Sequence, residues 1–173
     1  MGVHRYRVWN GPAPTTAALA SVSTGTTVKT MVQLAAPATR QLVVVGWGFE
    51  FDDPPGADAV VELLVTDVAA TVTAHVASGL VKLLPGIPAS LMTLGTSATG
   101  YTASAEGTIT ATRVFDVKRL SSTSAEAAPT MQYDRNFELN GIPPVVNVSE
   151  FLRVRVTTPT TAADMSCYVD VEE

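Results

Sequence analysis

The chain has little of what usually marks a metalloprotein, a redox protein or a nucleic-acid binder. It carries one cysteine and two histidines in 173 residues. A single thiol closes no intrachain disulfide. Cys167 also sits in an apolar alternation, where a small buried hydrophobe is expected. His4 and His75 fall in separate elements without the paired spacing of metal ligands, so no metal and no cofactor is expected. Charge is scarce too, at 16% of residues against about 25% in an ordinary soluble domain. The balance is acidic, with 16 Asp and Glu against 11 Lys and Arg and a net charge of −5. No basic stripe is visible, which argues against a nucleic-acid partner. No apolar run approaches the roughly 20 residues of a membrane span. The opening MGVHRYRVWNGP lacks the apolar stretch of a secretory signal.

What is present is Val, Thr, Ala and Leu, with 11 prolines and 12 glycines scattered as punctuation. β-Branched residues fit a pleated surface, and frequent breakers imply short elements joined by turns. A poorly charged surface also gives self-association or a partner a fair prior.

Period-two alternation then marks the strands. Val28, Thr30, Val32 and Leu34 share one face of a strand beginning at Thr26. Val43, Val45, Trp47, Phe49 and Phe51 share one face of 40–51, opposite Leu42, Val44, Gly46, Gly48 and Glu50. Glycines at 46 and 48 leave that second face flat, open to a large side chain or another backbone. Residues 59–66 are apolar on both faces, as in a strand covered on two sides. Four more strands are expected over 108–120, 131–139, 151–157 and 166–171, with Arg153 and Arg155 turned outward from Leu152, Val154 and Val156.

Two stretches read differently. In 67–79, Val68, Val72, His75 and Val76 fit one helical face, with Asp67 as N-cap and Gly79 as stop, although Val72, Ala74 and Val76 also alternate. A short helix or turn is expected there. Residues 80–107 show no strand and read as a long ordered loop. The fold class that results is all-β: a two-sheet antiparallel β-sandwich, jelly-roll-like, with a long ordered loop and one short helix at most. A single domain over 1–173 is expected, with 1–25 as an N-terminal arm or extended segment and 26–173 as the body, the excursion at 80–107 inserted in it.

Catalytic constellations are not found in the sequence. Asp52, Asp53 and Asp58 surround a Pro-Pro-Gly turn but lack calcium-loop spacing. Gly95 to Gly100 lacks the lysine of a phosphate loop. Glu50 and Glu62 are the one carboxylate pair that neighbouring strands would oppose, but opposed like charges are destabilising, so the two are expected to point to solvent or to Arg/Lys partners. Trp9, Trp47, Tyr101 and Tyr168 are candidate sugar-stacking rings, with Trp47 better placed in a core. The expectation is a non-enzyme.

Several stretches, RYRVWN (5–10), PTTAA (14–18), WGFEFD (47–52), DVAATVTAHVASG (67–79), LGTSATGYTASAEGTITATR (94–113) and FLRVRVT (151–157), resemble a group of small actinobacteriophage virion proteins. The resemblance implies a capsid decoration (cement) or minor capsid protein that stabilises the head shell, located in the virion and assembled in the host cytoplasm. Its partners would be the major capsid protein shell and further copies of itself, a trimer being favoured. A tail or baseplate protein binding a host glycan is the alternative. Interface candidates are Arg5, Tyr6, Arg7 and Trp9, in a stretch that alternates as a short strand or an aromatic-basic arm and would grip a neighbour, and Leu94, Thr96 and Tyr101 in the excursion.

Overall fold

The computed structural model describes residues 4–122, 132–139 and 141–173. Thirteen strands run β1 (Arg5–Trp9), β2 (Val22–Ser23), β3 (Val28–Ala35), β4 (Leu42–Phe51), β5 (Ala59–Thr66), β6 (Thr71–Ala74), β7 (Leu80–Lys82), β8 (Gly100–Ala105), β9 (Thr112–Leu120), β10 (Gln132–Asn136), β11 (Val145–Val146), β12 (Phe151–Thr157) and β13 (Asp164–Glu172). They form two antiparallel sheets. The seven-stranded sheet has the order β10-β4-β13-β1-β7, with β11 beside β4 and β2 beside β13. The six-stranded sheet has the order β6-β8-β3-β12-β5-β9. Chain neighbours β3 and β4, β4 and β5, β9 and β10, and β12 and β13 lie in opposite sheets, which is the crossing habit of a jelly roll.

The core lies between the sheets. Leu152, Val154, Val156, Val61 and Leu63 on one inner face meet Trp47, Phe49, Met165, Cys167, Val169 and Val171 on the other, all essentially without solvent contact. Each such side chain contributes about 1.5–3 kcal/mol by leaving water. Cys167 is fully buried, and burial pushes its thiol far up. Trp47 ties the sheets together as well. Its indole N–H and the Tyr133 hydroxyl both donate to Asp116 Oδ2, at 3.1 and 2.7 Å, and Arg135 pairs with Oδ1 at 3.0 Å. Burial alone would raise the Asp116 carboxyl. The bonds from Tyr133, Trp47 and Arg135 outweigh it and hold the group below its ordinary range.

Bulges correct the faces expected from strict alternation. Val44 pairs with Val171 but Gly46 with Asp170, so Val45 is an extra residue on β4. Leu42 and Val44 therefore join Trp47, Phe49 and Phe51 in the core instead of opposing them. On β3, Met31 is extra between the pairs Thr30–Arg155 and Val32–Val154, and Thr30 turns away from Val32 and Leu34.

The helix expected over 67–79 is not formed. The segment is strand β6 followed by one 3-10 turn at Ala77–Gly79. A helical face would have buried Val68, Val72, His75 and Val76 together, yet Val76 is 64% exposed. Asp67 caps a loop: its carboxylate accepts from the backbone N–H groups of Thr110 and Ala111 and from the Thr110 hydroxyl. Nor is 80–107 strandless. It holds β7 and β8, leaving 83–99 as the loop. β8 pairs with β3 and β6 with β8 at one edge of the six-stranded sheet, while Val68, Ala70, Ala98 and Glu106 from the adjoining segments bond to the outward side chains of Arg153 and Gln33 and cover them.

Arg153 keeps the outward face expected of it, away from the core cluster of Leu152, Val154 and Val156, but that face is covered and the residue has no solvent exposure. Its guanidinium donates to the Val68 carbonyl and, at 3.1 Å each, to the Glu106 carbonyl and Oε2. Glu106 also accepts from the Thr30 hydroxyl at 2.6 Å. Beside it buried Gln33 donates to the Ala98 carbonyl at 2.7 Å and accepts from Ala70 N–H at 2.8 Å. Arg155 reaches Glu62 at 2.9 Å.

Candidate interaction surface

Pairing register assembles a polar and aromatic surface on the outer face of the seven-stranded sheet. Trp9 stands opposite Tyr168, Tyr168 opposite Gly48 and Gly48 opposite Asp134, one residue from each of β1, β13, β4 and β10. The next row is Arg7, Asp170, Gly46 and Asn136. On the other side Ser166, Glu50 and Gln132 line up. The flat face expected from the two glycines is used here by a tyrosine. A Cβ on Gly48 would come within 2.8 Å of Tyr168 Cε1 and 2.2 Å of Asp134 Oδ1, so only glycine lets the ring cross β4. The Tyr168 hydroxyl donates to Asp134 Oδ1 at 2.5 Å. Burial, then this bond to a carboxylate, pushes the phenol well above its ordinary range.

Arg7 lies over the Tyr168 ring at 4.0 Å and donates two bonds of 2.7 Å to Asp170. That bidentate bond chiefly raises its already high pKa. Trp9 tilts against Tyr168 with centroids 5.1 Å apart. Between them and the β4–β10 pair lies a groove of about 80 Å³, walled by Trp9, Tyr168, Glu50, Gln132, Asp134 and Ser166.

The structure separates the seven candidate interface residues. Arg5, Tyr6, Arg7 and Trp9 form β1, an interior strand bonded to β13 on one side and β7 on the other, so they are not a free arm. Tyr6 is wholly buried and donates its hydroxyl to the Pro88 carbonyl at 3.1 Å, which leaves no surface for a partner. Arg5 pairs with Glu138 at 2.5 Å. Arg7 and Trp9 belong to the groove row. Leu94 and Thr96 are exposed in the 83–99 loop. Tyr101 sits on β8 against His75, ring centroids 4.7 Å apart. The His75 Nε2 lies 2.8 Å from the Trp9 carbonyl oxygen, and burial outweighs this contact in lowering its pKa.

Of the four rings that the sequence offered as one stacking platform, only Trp9 and Tyr168 meet; Trp47 is in the core and Tyr101 lies against His75. Sequence reasoning missed Asp134 and Gln132, because nothing in the sequence says that β10 lies beside β4. Glu50 and Glu62, expected on neighbouring strands, belong to different sheets. Asp52 accepts from Ser21 at 2.6 Å and Asp58 from the Ser122 N–H at 3.0 Å. Among the described residues no three His, Cys, Asp or Glu side chains gather as a metal site.

No family model and no curated protein matches this chain. Among solved structures it is similar to a point mutant of the unassembled Washington University polyomavirus VP1 pentamer. That likeness spans 97% of this chain and 94% of that chain, at 9% identity and a TM-score of 0.36. So faint a likeness bears on neither fold nor function; the fold rests on the geometry above.

Proposed function

We propose that the chain is a non-enzymatic structural protein of a bacteriophage particle, a decoration protein seated on the head shell in symmetric clusters, trimers for preference. The observation that carries an assembly role is the exposed apolar surface of its loops. Leu83, Leu84, Leu91 and Leu94 are 38–50% exposed in one loop, and Leu139 and Ile142 are 82% and 94% exposed in another. Large apolar side chains left in water on a rigid, sparsely charged body favour contact with another protein. Several of the chain's carboxylates are tied down structurally: Asp116 by Trp47, Tyr133 and Arg135, Glu62 by Arg155, and Asp52 by Ser21. The particle itself is argued from the sequence stretches quoted above. Cementing would follow from many contacts bridging adjacent shell subunits, which stabilise whatever state they bind.

Mass spectrometry of purified particles with copy-number counting, followed by cryo-electron microscopy, tests this. Hundreds of copies on the head are expected. A handful of copies at the tail tip would overturn the head assignment in favour of the baseplate alternative, for which the Trp9–Tyr168 groove is the one feature that speaks.

A further inference from the structure

We infer that the groove between Trp9 and Tyr168 is a docking site for an arginine side chain of a partner protein, stacked against the rings and paired with Glu50 and Asp134. Its walls offer two carboxylates, one amide and two hydroxyls, and no lining residue is cationic. Such a site repels anions and favours a donor-rich cation. Glu62, Glu106, Glu138, Glu150, Asp116 and Asp170 each face an arginine of this chain. Glu50 is exposed and pairs with none among the described residues. Asp134 accepts from the neutral Tyr168 hydroxyl and, at 3.4 Å, from the Gln132 amide; it forms no ion pair among the described residues, although its charge is felt by Arg7.

Size and precedent identify the cation. At about 80 Å³, the groove falls well below the roughly 300–1,000 Å³ of a small-molecule pocket, and one side-chain head is the better fit. The groove's own rings already carry one guanidinium: Arg7, from the next row, lies 4.0 Å from the Tyr168 ring and 5.6 Å from the Trp9 ring and forks onto Asp170 at 2.7 Å twice, so a second would add to the rings' remaining surface and take Glu50 and Asp134 as its carboxylates. A planar guanidinium satisfies ring and carboxylate at once. An ammonium does so less well, because it is more strongly hydrated and has no flat face. The inference stands on the groove alone, so it and the placement on a head shell fail separately.

The test is a chemical-shift titration of the whole chain with N-acetyl-arginine amide, N-acetyl-lysine amide and a methyl glucoside, in the native protein and in Glu50→Gln. The arginine amide is expected to shift the Trp9 indole N–H, the Gln132 side-chain amide and the Tyr168 backbone. Binding should weaken about 3–10-fold in Glu50→Gln, the loss of one screened charge contact, and again on raising salt from about 20 to 200 mM. Glu50 is exposed, so its replacement leaves the fold intact, which the unchanged signals elsewhere would verify. Arginine-amide shifts spread equally over other surface carboxylates, or unaltered affinity in Glu50→Gln, would overturn the inference. So would groove signals that move with the glucoside and not with the arginine amide.

Discussion

Replacing Glu106 by Gln removes the charge that helps hold the covering layer down. Glutamine is nearly isosteric, but only one of its terminal atoms accepts, so it loses one of the two bonds from Thr30, the backbone N–H or the hydroxyl, along with the counter-charge of Arg153. That guanidinium has no solvent exposure, whereas the Glu106 side chain keeps 22% of its own. Breaking a fully buried pair on one side costs about 3–5 kcal/mol. Partial exposure of Glu106 screens some of that, which places Glu106→Gln at about 2–3 kcal/mol. The reference is Glu138→Gln at the Arg5 pair, with side chains 31% and 37% exposed, where about 0.2–1 kcal/mol is expected. Urea melts of both variants give the comparison. In a thermal scan the Glu106 change should lower Tm by about 4–12 °C for a chain of this size. The double variant Arg153→Met, Glu106→Gln should recover part of the loss, since it removes the stranded charge along with its partner. If Glu106→Gln costs no more than Glu138→Gln, the ion pair does not hold the layer and the reasoning fails.

Three further outcomes are expected. Asp116, held below its ordinary carboxylate value of 3.8 in the folded state, contributes stability that is present above that value. This stability is lost as pH falls through the folded pKa, so the gap between native protein and Asp116→Asn in urea melts should be full at pH 7 and shrink below about pH 4; a gap independent of pH refutes it. Gly48→Ala should cost about 1–3 kcal/mol, because its Cβ would meet Asp134, the Tyr133 carbonyl and Tyr168. Gly86→Ala, with φ +80° and nothing within 4 Å, should cost only the left-handed backbone penalty of about 1–2 kcal/mol, and it should leave the tyrosine ring signals in place where Gly48→Ala moves them. Cys167 should resist a maleimide in the native state and react at the rate of unfolding, since its thiol is fully buried; fast labelling in native buffer would contradict the core position.

The sandwich was legible because its main strands bury one face against the core, and a buried face writes itself as alternation. β12 and β13 show this: Leu152, Val154 and Val156, and Cys167, Val169 and Val171, all face inward as their spacing predicts. Alternation says where a face turns only while the register holds, and one extra residue reverses it. Val45 and Met31 are such residues, and no local signal distinguishes a bulged valine or methionine from its neighbours. The segment at 67–79 failed for a related reason. Small and β-branched residues at mixed spacing fit helix and strand alike, and β8, thirty residues on, decides between them by supplying the pairing partner.

The outer faces were the hardest to read, because polarity on a strand has two physical meanings. Arg155 with Glu62 and Arg7 with Asp170 are partly exposed pairs of the ordinary kind. Arg153, Gln33 and Thr30 carry the same polar character and are fully buried, because the chain returns to cover them and supplies a partner for each. A polar residue on a strand therefore predicts either water or a second layer, and only a later segment able to satisfy it tells which. On the outer face of the opposite sheet, Glu50 and Asp134 form no ion pair among the described residues and lie beside two aromatic rings, and that difference between the two faces places a partner at the groove and not over the six-stranded sheet.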